Sequence, residues 1–377
     1  MKKLVINIKI ILIIVFFPVF LLLSEKSHAQ ITESPESIFV KKVEAILLNS
    51  CLRKKNFGVK IHSLERDKTL YSVYSDRLFS PASNLKLLTT AVALKRLGAN
   101  YRFKTALYAT LPIVGKILEG DIYIKGFGDP NLVSEQMWLL ANELKNSPLN
   151  KVRGNIIADE SFFDNNRRVK TWNKKAGVEA YNAPLGALSF NFNTVAVHVT
   201  PGEKKGDRPI VVVDPDIEFI RVDNRARTAS KPKYGRLIVN RVDRGDHNVI
   251  TVSGTMPVNS RRETYYLSIT QPTHYAAIVF KEYLLQAGVE VMGKVRVGSV
   301  PEGAYELFSH ESIPLSLILR GLNKFSNNFV AEQILKTIAA EIYGEPGTTL
   351  NGLRAMDEYM QSLQYKAEEF LILDGSG

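Results

Sequence analysis

From Tyr101 to about Pro272 this chain is a succession of short β-branched runs, and its strong helical patterns lie before or after that block. Asp121 to Lys125, Asn155 to Ala158, Thr194 to Val199, Ile210 to Val213, Arg236 to Val242, Asn248 to Ser253 and Thr264 to Ile269 read as strands bounded by turn residues. Upstream, Val40 to Leu52 carries a helical apolar face. Phe57 to Leu64 and Thr69 to Val73 form a hairpin about the polar turn Glu65 to Lys68, and Ser80 to Leu97 is the strongest helical pattern of all. Downstream, His274 to Ala287, Pro314 to Leu322, Asn327 to Ile342 and Leu350 to Leu363 return to helix. A continuous α/β chain would alternate throughout, so this segregation predicts one α/β (α+β) domain interrupted by a large, mostly β insertion. The limits read from the sequence are 30–98 and 271–377 for the split domain and 99–270 for the insertion. The insertion reads as two subdomains, with about 111–181 nested inside the other.

Residues 1–29 read as a signal peptide. Lys2, Lys3 and Lys9 precede an apolar run from Ile10 to Leu23, and Ser27-His28-Ala29 supplies the small residues of a cleavage site. The run falls short of the roughly 20 residues that span a bilayer, so export to a periplasmic or wall-facing location is expected. The net charge is +11, and removing a leader with four lysines and one glutamate lowers it to +8. That charge suits peripheral contact with membrane or anionic wall polymers. Basic residues crowd between Arg221 and Arg244 without the interleaved aromatics of a single-strand binder, so nucleic acid is not an expected partner. The lone Cys51 cannot form an intrachain disulfide and reads as a small buried residue. The histidines are scattered without metal-ligand spacing, and no metal or other cofactor is expected. Gly288 to Gly293 followed by Lys294 imitates a phosphate loop, but Val295 stands where Ser or Thr would hold magnesium, so a turn and strand are expected there. No Gly-x-Ser-x-Gly elbow occurs.

The chemistry-bearing candidates are polar pairs at helix starts. Ser80 reads as an N-cap and Pro81 as the first helical residue, which places Ser83 in the first turn and Lys86 three residues on, on the same face. A serine hydroxyl needs a neighbouring base to become nucleophilic, and a lysine whose pKa is lowered by burial can be that base. A second copy of the spacing, Ser230-Lys231-Pro232-Lys233, contains a proline that denies it a helix. Far downstream, Ser326-Asn327-Asn328 offers a hydroxyl that can relay a proton and an amide that can hold a substrate amide, although Ser and Asn also suit a plain cap.

The combination of Ser-x-x-Lys and Ser-x-Asn is that of penicillin-binding proteins and class A β-lactamases, and the likeness extends well beyond it. The segment Ser80-Pro81-Ala82-Ser83-Asn84-Leu85-Lys86-Leu87-Leu88-Thr89 resembles the nucleophile segment of the class C low-molecular-mass penicillin-binding proteins, the serine D-alanyl-D-alanine carboxypeptidases/endopeptidases. Similar in order are Gly126-Phe127-Gly128-Asp129-Pro130-Asn131-Leu132, Ala158 to Asp164, Tyr181 to Leu185, Asn323 to Asn328 with Ala331-Glu332, and Asp374-Gly375-Ser376-Gly377. Ser83 and Ser326 stand about 240 residues apart, too far for a class A β-lactamase but suited to a family whose transpeptidase domain carries a large insertion.

The resemblance implies a penicillin-binding/β-lactamase-like transpeptidase fold and an acyl-enzyme mechanism on peptidoglycan stem peptides and cross-links, with β-lactams as covalent inhibitors. Ser83 would attack the carbonyl between two D-alanines, Lys86 would accept its proton, Ser326 would pass a proton to the leaving amine, and Asn328 would bind the peptide amide. Asp159 and Phe163 match an acidic and aromatic pair thought to meet the stem-peptide side chain. The family's third motif, Lys-Thr-Gly, is missing; Lys170-Thr171-Trp172 and Lys336-Thr337-Ile338 lack its glycine. Because the family places that motif after Asp374-Gly375-Ser376-Gly377, a fragment is expected, with Phe370 to Leu373 as a strand stub. Such an end is expected to leave the chain poorly folded or inactive. A non-catalytic wall-peptide binder and a serine β-lactamase are the alternative readings.

Overall fold

In the computed structural model the described residues are 34–49, 57–147, 149–172, 177–230 and 236–377. The leader 1–29, Cys51 and the Lys231-Pro232-Lys233 stretch of the second motif copy lie outside them. The chain divides into two units, 1–79 and 80–377. In the first, helix α1 (Pro35–Asn49) precedes an antiparallel hairpin of Val59–Ser63 and Lys68–Val73, as the apolar alternation predicts. Glu36 ties the helix start to the hairpin through Lys68 at 2.7 Å.

The second unit opens with α2 (Leu85–Arg96) and holds two large hydrophobic cores. One fills the strand-rich region. Its principal sheet has five strands in the order Val295–Val297, Ile156–Asp159, Ile122–Gly126, Lys104–Ala109 and Tyr305–Glu311, parallel among the first three and antiparallel thereafter. Hydrogen bonding therefore carries this sheet past residue 270 to Glu311. Beside it, Thr194–Thr200 pairs antiparallel with both Ile210–Asp214 and Glu263–Ser268, and Asn248–Pro257 organises a further four-stranded sheet. Along Thr194–Thr200, burial alternates residue by residue, which fixes the register because a one-residue slip would expose Val195, Val197 and Val199.

Two features of this region depart from the strand reading. Helix α3 (Ser134–Asn146) sits within the block, with Met137, Leu140, Ala141 and Leu144 buried at helical spacing. It packs on α4 (Pro272–Gln286). The strands Lys104–Ala109 and Tyr305–Glu311 also join the sheet without having been expected.

The second core is helical. It gathers α2 with α5 (Leu315–Phe325), α6 (Asn328–Tyr343) and α7 (Thr349–Ser362). Helix α6 is buried continuously from Phe329 to Ala340, so it runs through the interior instead of lying on it. A small cluster of Phe162, Phe163, Ala187 and Ala340 forms a third, separate apolar contact. Phe370 to Leu373, expected as a strand stub, joins no sheet among the described residues. The architecture is a mixed α/β fold.

Candidate active site

The Ser83 segment enters its helix differently from the simple capped start. Ala82 takes a left-handed backbone (φ 44), unfavourable for a residue with a Cβ. Regular α-helix is thereby postponed: Ala82–Asn84 form a 3₁₀ turn and α2 begins at Leu85, with no side-chain cap and Ser80 outside it. The spacing still delivers the expected face. Lys86 Nζ lies 3.0 Å from Ser83 Oγ, and Ser83 is exposed whereas Lys86 is 1% exposed. Burial lowers the Lys86 pKa, opposed by the carboxylates of Glu332 and Asp374. A buried amine touching an exposed hydroxyl is a base held against a nucleophile that a substrate can reach.

Lys86 is fixed from its far side. Its Nζ donates to the Ser376 carbonyl at 2.7 Å, and Thr89, on the same helix, donates to the Gly375 carbonyl at 2.6 Å. The Gly375 amide donates to Glu332 Oε1 on α6 at 2.9 Å. Asp374 Oδ1 accepts the amides of Ser376 (2.9 Å) and Gly377 (2.6 Å), its other oxygen accepts the Thr171 hydroxyl, and the Trp172 indole donates to Ser376 Oγ at 3.0 Å. The Asp374–Gly377 turn is thus clamped by α2, α6 and the 171–172 loop. Only glycine suits position 377: its φ is +88, and a Cβ there would fall 1.9 Å from the Ala82 carbonyl oxygen. Burial raises the Glu332 pKa to about 7.

The second motif occupies the corner between two helices. Ser326 ends α5 in a left-handed conformation (φ 55) with its hydroxyl end exposed, and Asn327, not Ser326, caps α6 by accepting the Val330 amide at 3.3 Å. Asn328 is the first residue of α6 and half-buried. One turn before Ser326, Asn323 exchanges hydrogen bonds with Thr90, one turn after Lys86, at 3.1 and 3.2 Å. Helix α2 also packs on α5 and α6. The elements bearing the two motifs are therefore in contact, although among the described residues no hydrogen bond joins Ser326 or Asn328 to Ser83 or Lys86.

Asp159 and Phe163 lie at the end of the insertion's central sheet. Both Asp159 oxygens accept backbone amides, from Ser161 and Val300, each at 2.7 Å, and the side chain is 1% exposed. Phe163 is equally buried, with the Lys336 ammonium 5.3 Å from its ring centre. Lys336 itself pairs with Asp164 at 2.5 Å. Both residues line a shallow depression with Ser299 and Pro346. Lys336-Thr337 sits in the middle of buried α6, and Lys170-Thr171 lies in a loop.

The residues assigned no individual role from the sequence are those of the clamp: Glu332, Asp374, Thr89 and Trp172. A signal existed for Glu332, a carboxylate inside an otherwise apolar helical run. The glycines of Gly126-Phe127-Gly128-Asp129 prove to be packing devices. A Cβ on Gly126 would meet the Ala187 carbonyl at 2.3 Å, and Gly128 (φ +80) abuts Phe163 and Thr337.

Chemically, the exposed hydroxyl and its buried amine can run nucleophilic catalysis with lysine as the base, as in a serine acyl hydrolase. The comparisons agree with that class. The D-Ala-D-Ala carboxypeptidase 3 (S13) family pattern matches residues 39–377, and the chain belongs to this family. It is 33% identical over 364 residues to a D-alanyl-D-alanine carboxypeptidase of an Actinomadura species, covering 94% of this chain and 66% of that protein. It is 24% identical over 323 residues to the D-alanyl-D-alanine carboxypeptidase DacB of Haemophilus influenzae, covering 85% and 67%. The crystal structure of penicillin binding protein 4 (dacB) from Haemophilus influenzae superposes with a TM-score of 0.74 at 23% identity, over 85% of this chain and 70% of that one, which establishes the shared fold. The chain thus spans about two thirds of the length of these relatives. Among the described residues no helix is long and apolar enough to cross a membrane.

Proposed function

We propose that this chain carries the acylating site of a serine D-alanyl-D-alanine carboxypeptidase/endopeptidase acting on peptidoglycan peptides. Ser83 is the nucleophile and Lys86 its base: Oγ forms a bond to the penultimate D-alanine carbonyl carbon as its proton passes to the neutral Nζ. Backbone amides at the head of this helix, including that of Ser83, favour the negative charge that develops on the carbonyl oxygen. Ser326 returns a proton to the departing D-alanine amine, Asn328 holds the peptide amide, and water then frees the acyl group. Asp159 and Phe163 form the wall of a stem-peptide subsite. The observation that carries the reading is the 3.0 Å contact between Ser83 Oγ and a lysine removed from water. It is supported by family membership and by the fold shared with penicillin binding protein 4, one structure of which holds a β-lactam.

In the same reading the chain is exported behind its leader and works in the periplasm or facing the wall. The test is acylation by a fluorescent penicillin followed by peptide mass mapping. Wild type is expected to carry the label on Ser83 and Ser83→Ala to carry none. Folded protein that stays unlabelled would overturn the assignment.

A further inference from the structure

A cavity of about 260 Å³ opens between residues 167–172 and 177–184 on one side and the strands Leu237–Asp243 and Glu263–Ser268 on the other. Three arginines line it, Arg167, Arg168 and Arg241, and the last two have no ion-pair partner among the described residues. Arg241 donates from Nη1 to the Ser268 carbonyl at 2.8 Å, but its Nε is buried without an acceptor. Arg168 is exposed at the rim and close enough to oppose the Arg241 charge. The neighbouring Arg167 is already paired with Glu160. Asp243 is the one carboxylate among the lining residues; its charge partly supports that of Arg241, and its Oδ1 accepts the Gly245 amide at 2.9 Å.

Two like charges converging on one cavity, with a buried donor left unmet, is an arrangement that an anion would complete. We propose that this cavity binds an oxyanion, a carboxylate or phosphate group, gripped by Arg241 from the wall and Arg168 from the rim. Guanidinium donors match the paired oxygens of either group, and the cavity holds a headgroup of that size. The site stands apart from Ser83 but shares a support with it. Trp172 lines the cavity, and its indole N–H holds Ser376 Oγ, whose carbonyl in turn holds Lys86. The inference does not depend on the hydrolase reading, and its test needs no turnover.

The chain has two tryptophans, so Trp138→Phe leaves Trp172 as the sole reporter. Inorganic phosphate and succinate are titrated separately into this variant of the whole chain at ionic strength held constant with sodium chloride. A saturable change in Trp172 emission is expected with at least one of them. Arg241→Gln and Arg168→Gln, each in the same background, are expected to weaken that response at least tenfold. A phosphate-only response points to polymer phosphates or free phosphate, and a succinate-only response to peptide carboxylates. Either bears the proposal out. No saturable response to either anion, or one unchanged by Arg168→Gln in protein whose circular dichroism is native, would overturn it. The rim position of Arg168 keeps that outcome readable even if Arg241→Gln does not fold.

Discussion

Lys86 is an ammonium almost wholly withdrawn from water, held by one hydroxyl and one carbonyl. Burial disfavours its charged form, so the amine becomes available as a base at lower pH than an exposed lysine would. The rate of penicillin acylation is expected to rise with pH as Lys86 deprotonates. Lys86→Arg, which stays protonated, is expected to lower that rate by about 10² to 10⁴, the usual worth of a general base. A stopped-flow pH series on both proteins checks this.

Asp129 makes a separate residue-scale case. It is 2% exposed, Oδ1 accepts the Asn131 amide at 2.8 Å, Oδ2 has no partner among the described residues, and burial pushes its pKa up to about 7. The folded state therefore holds this proton more tightly than the unfolded chain does. Its contribution to stability is greatest at the acid end, falls as pH rises from about 4, and levels off above about 7. The linked change is on the order of 4 kcal/mol. Asp129→Asn keeps the acceptor and removes the titration, so urea midpoints measured from pH 4 to 8 should show a flatter decline than in wild type.

At the scale of elements, the helix corner at 325–328 separates backbone demand from chemistry. Ser326 occupies left-handed space that glycine adopts more readily, and its neighbour Asn327 does the capping. Ser326→Gly is therefore expected to retain thermal stability within about 0.5 kcal/mol while losing acylation or deacylation rate by a factor on the order of 10². Ser326→Ala should lose the same rate without relieving the backbone. Melting curves alongside penicillin-labelling kinetics distinguish a catalytic hydroxyl from a merely structural turn. The same scale explains α3. Its apolar spacing was present in the sequence, but a run of β-branched segments on either side masked it.

For the molecule as a whole, the strand-rich and helical cores meet around the Gly126-Phe127-Gly128-Asp129 segment, where Gly128 touches Phe163 on one side and Thr337 of α6 on the other. Gly126 runs so close to the 187–188 backbone that a methyl group cannot fit. Gly126→Ala is expected to cost about 3 kcal/mol and to reduce penicillin labelling of Ser83, which it does not touch, by loosening the packing on α6. Chemical denaturation and labelling of the same preparation check both effects.

The sequence alone determined the alternation of apolar residues along the strands, the helical stripes, and the three-residue interval that brings Ser83 to Lys86, because each depends on the local repeat of one element. It also carried the motif order that marks the family. Only the tertiary structure decided that Lys86 would be buried, since that depends on the Asp374–Gly377 turn meeting α2 from almost 300 residues away. It likewise decided that Glu332 would support that turn, that Asp159 would give both oxygens to backbone amides, and that strands beyond residue 270 would complete the sheet. Those outcomes depend on which surfaces meet, and no local repeat encodes a meeting between distant segments.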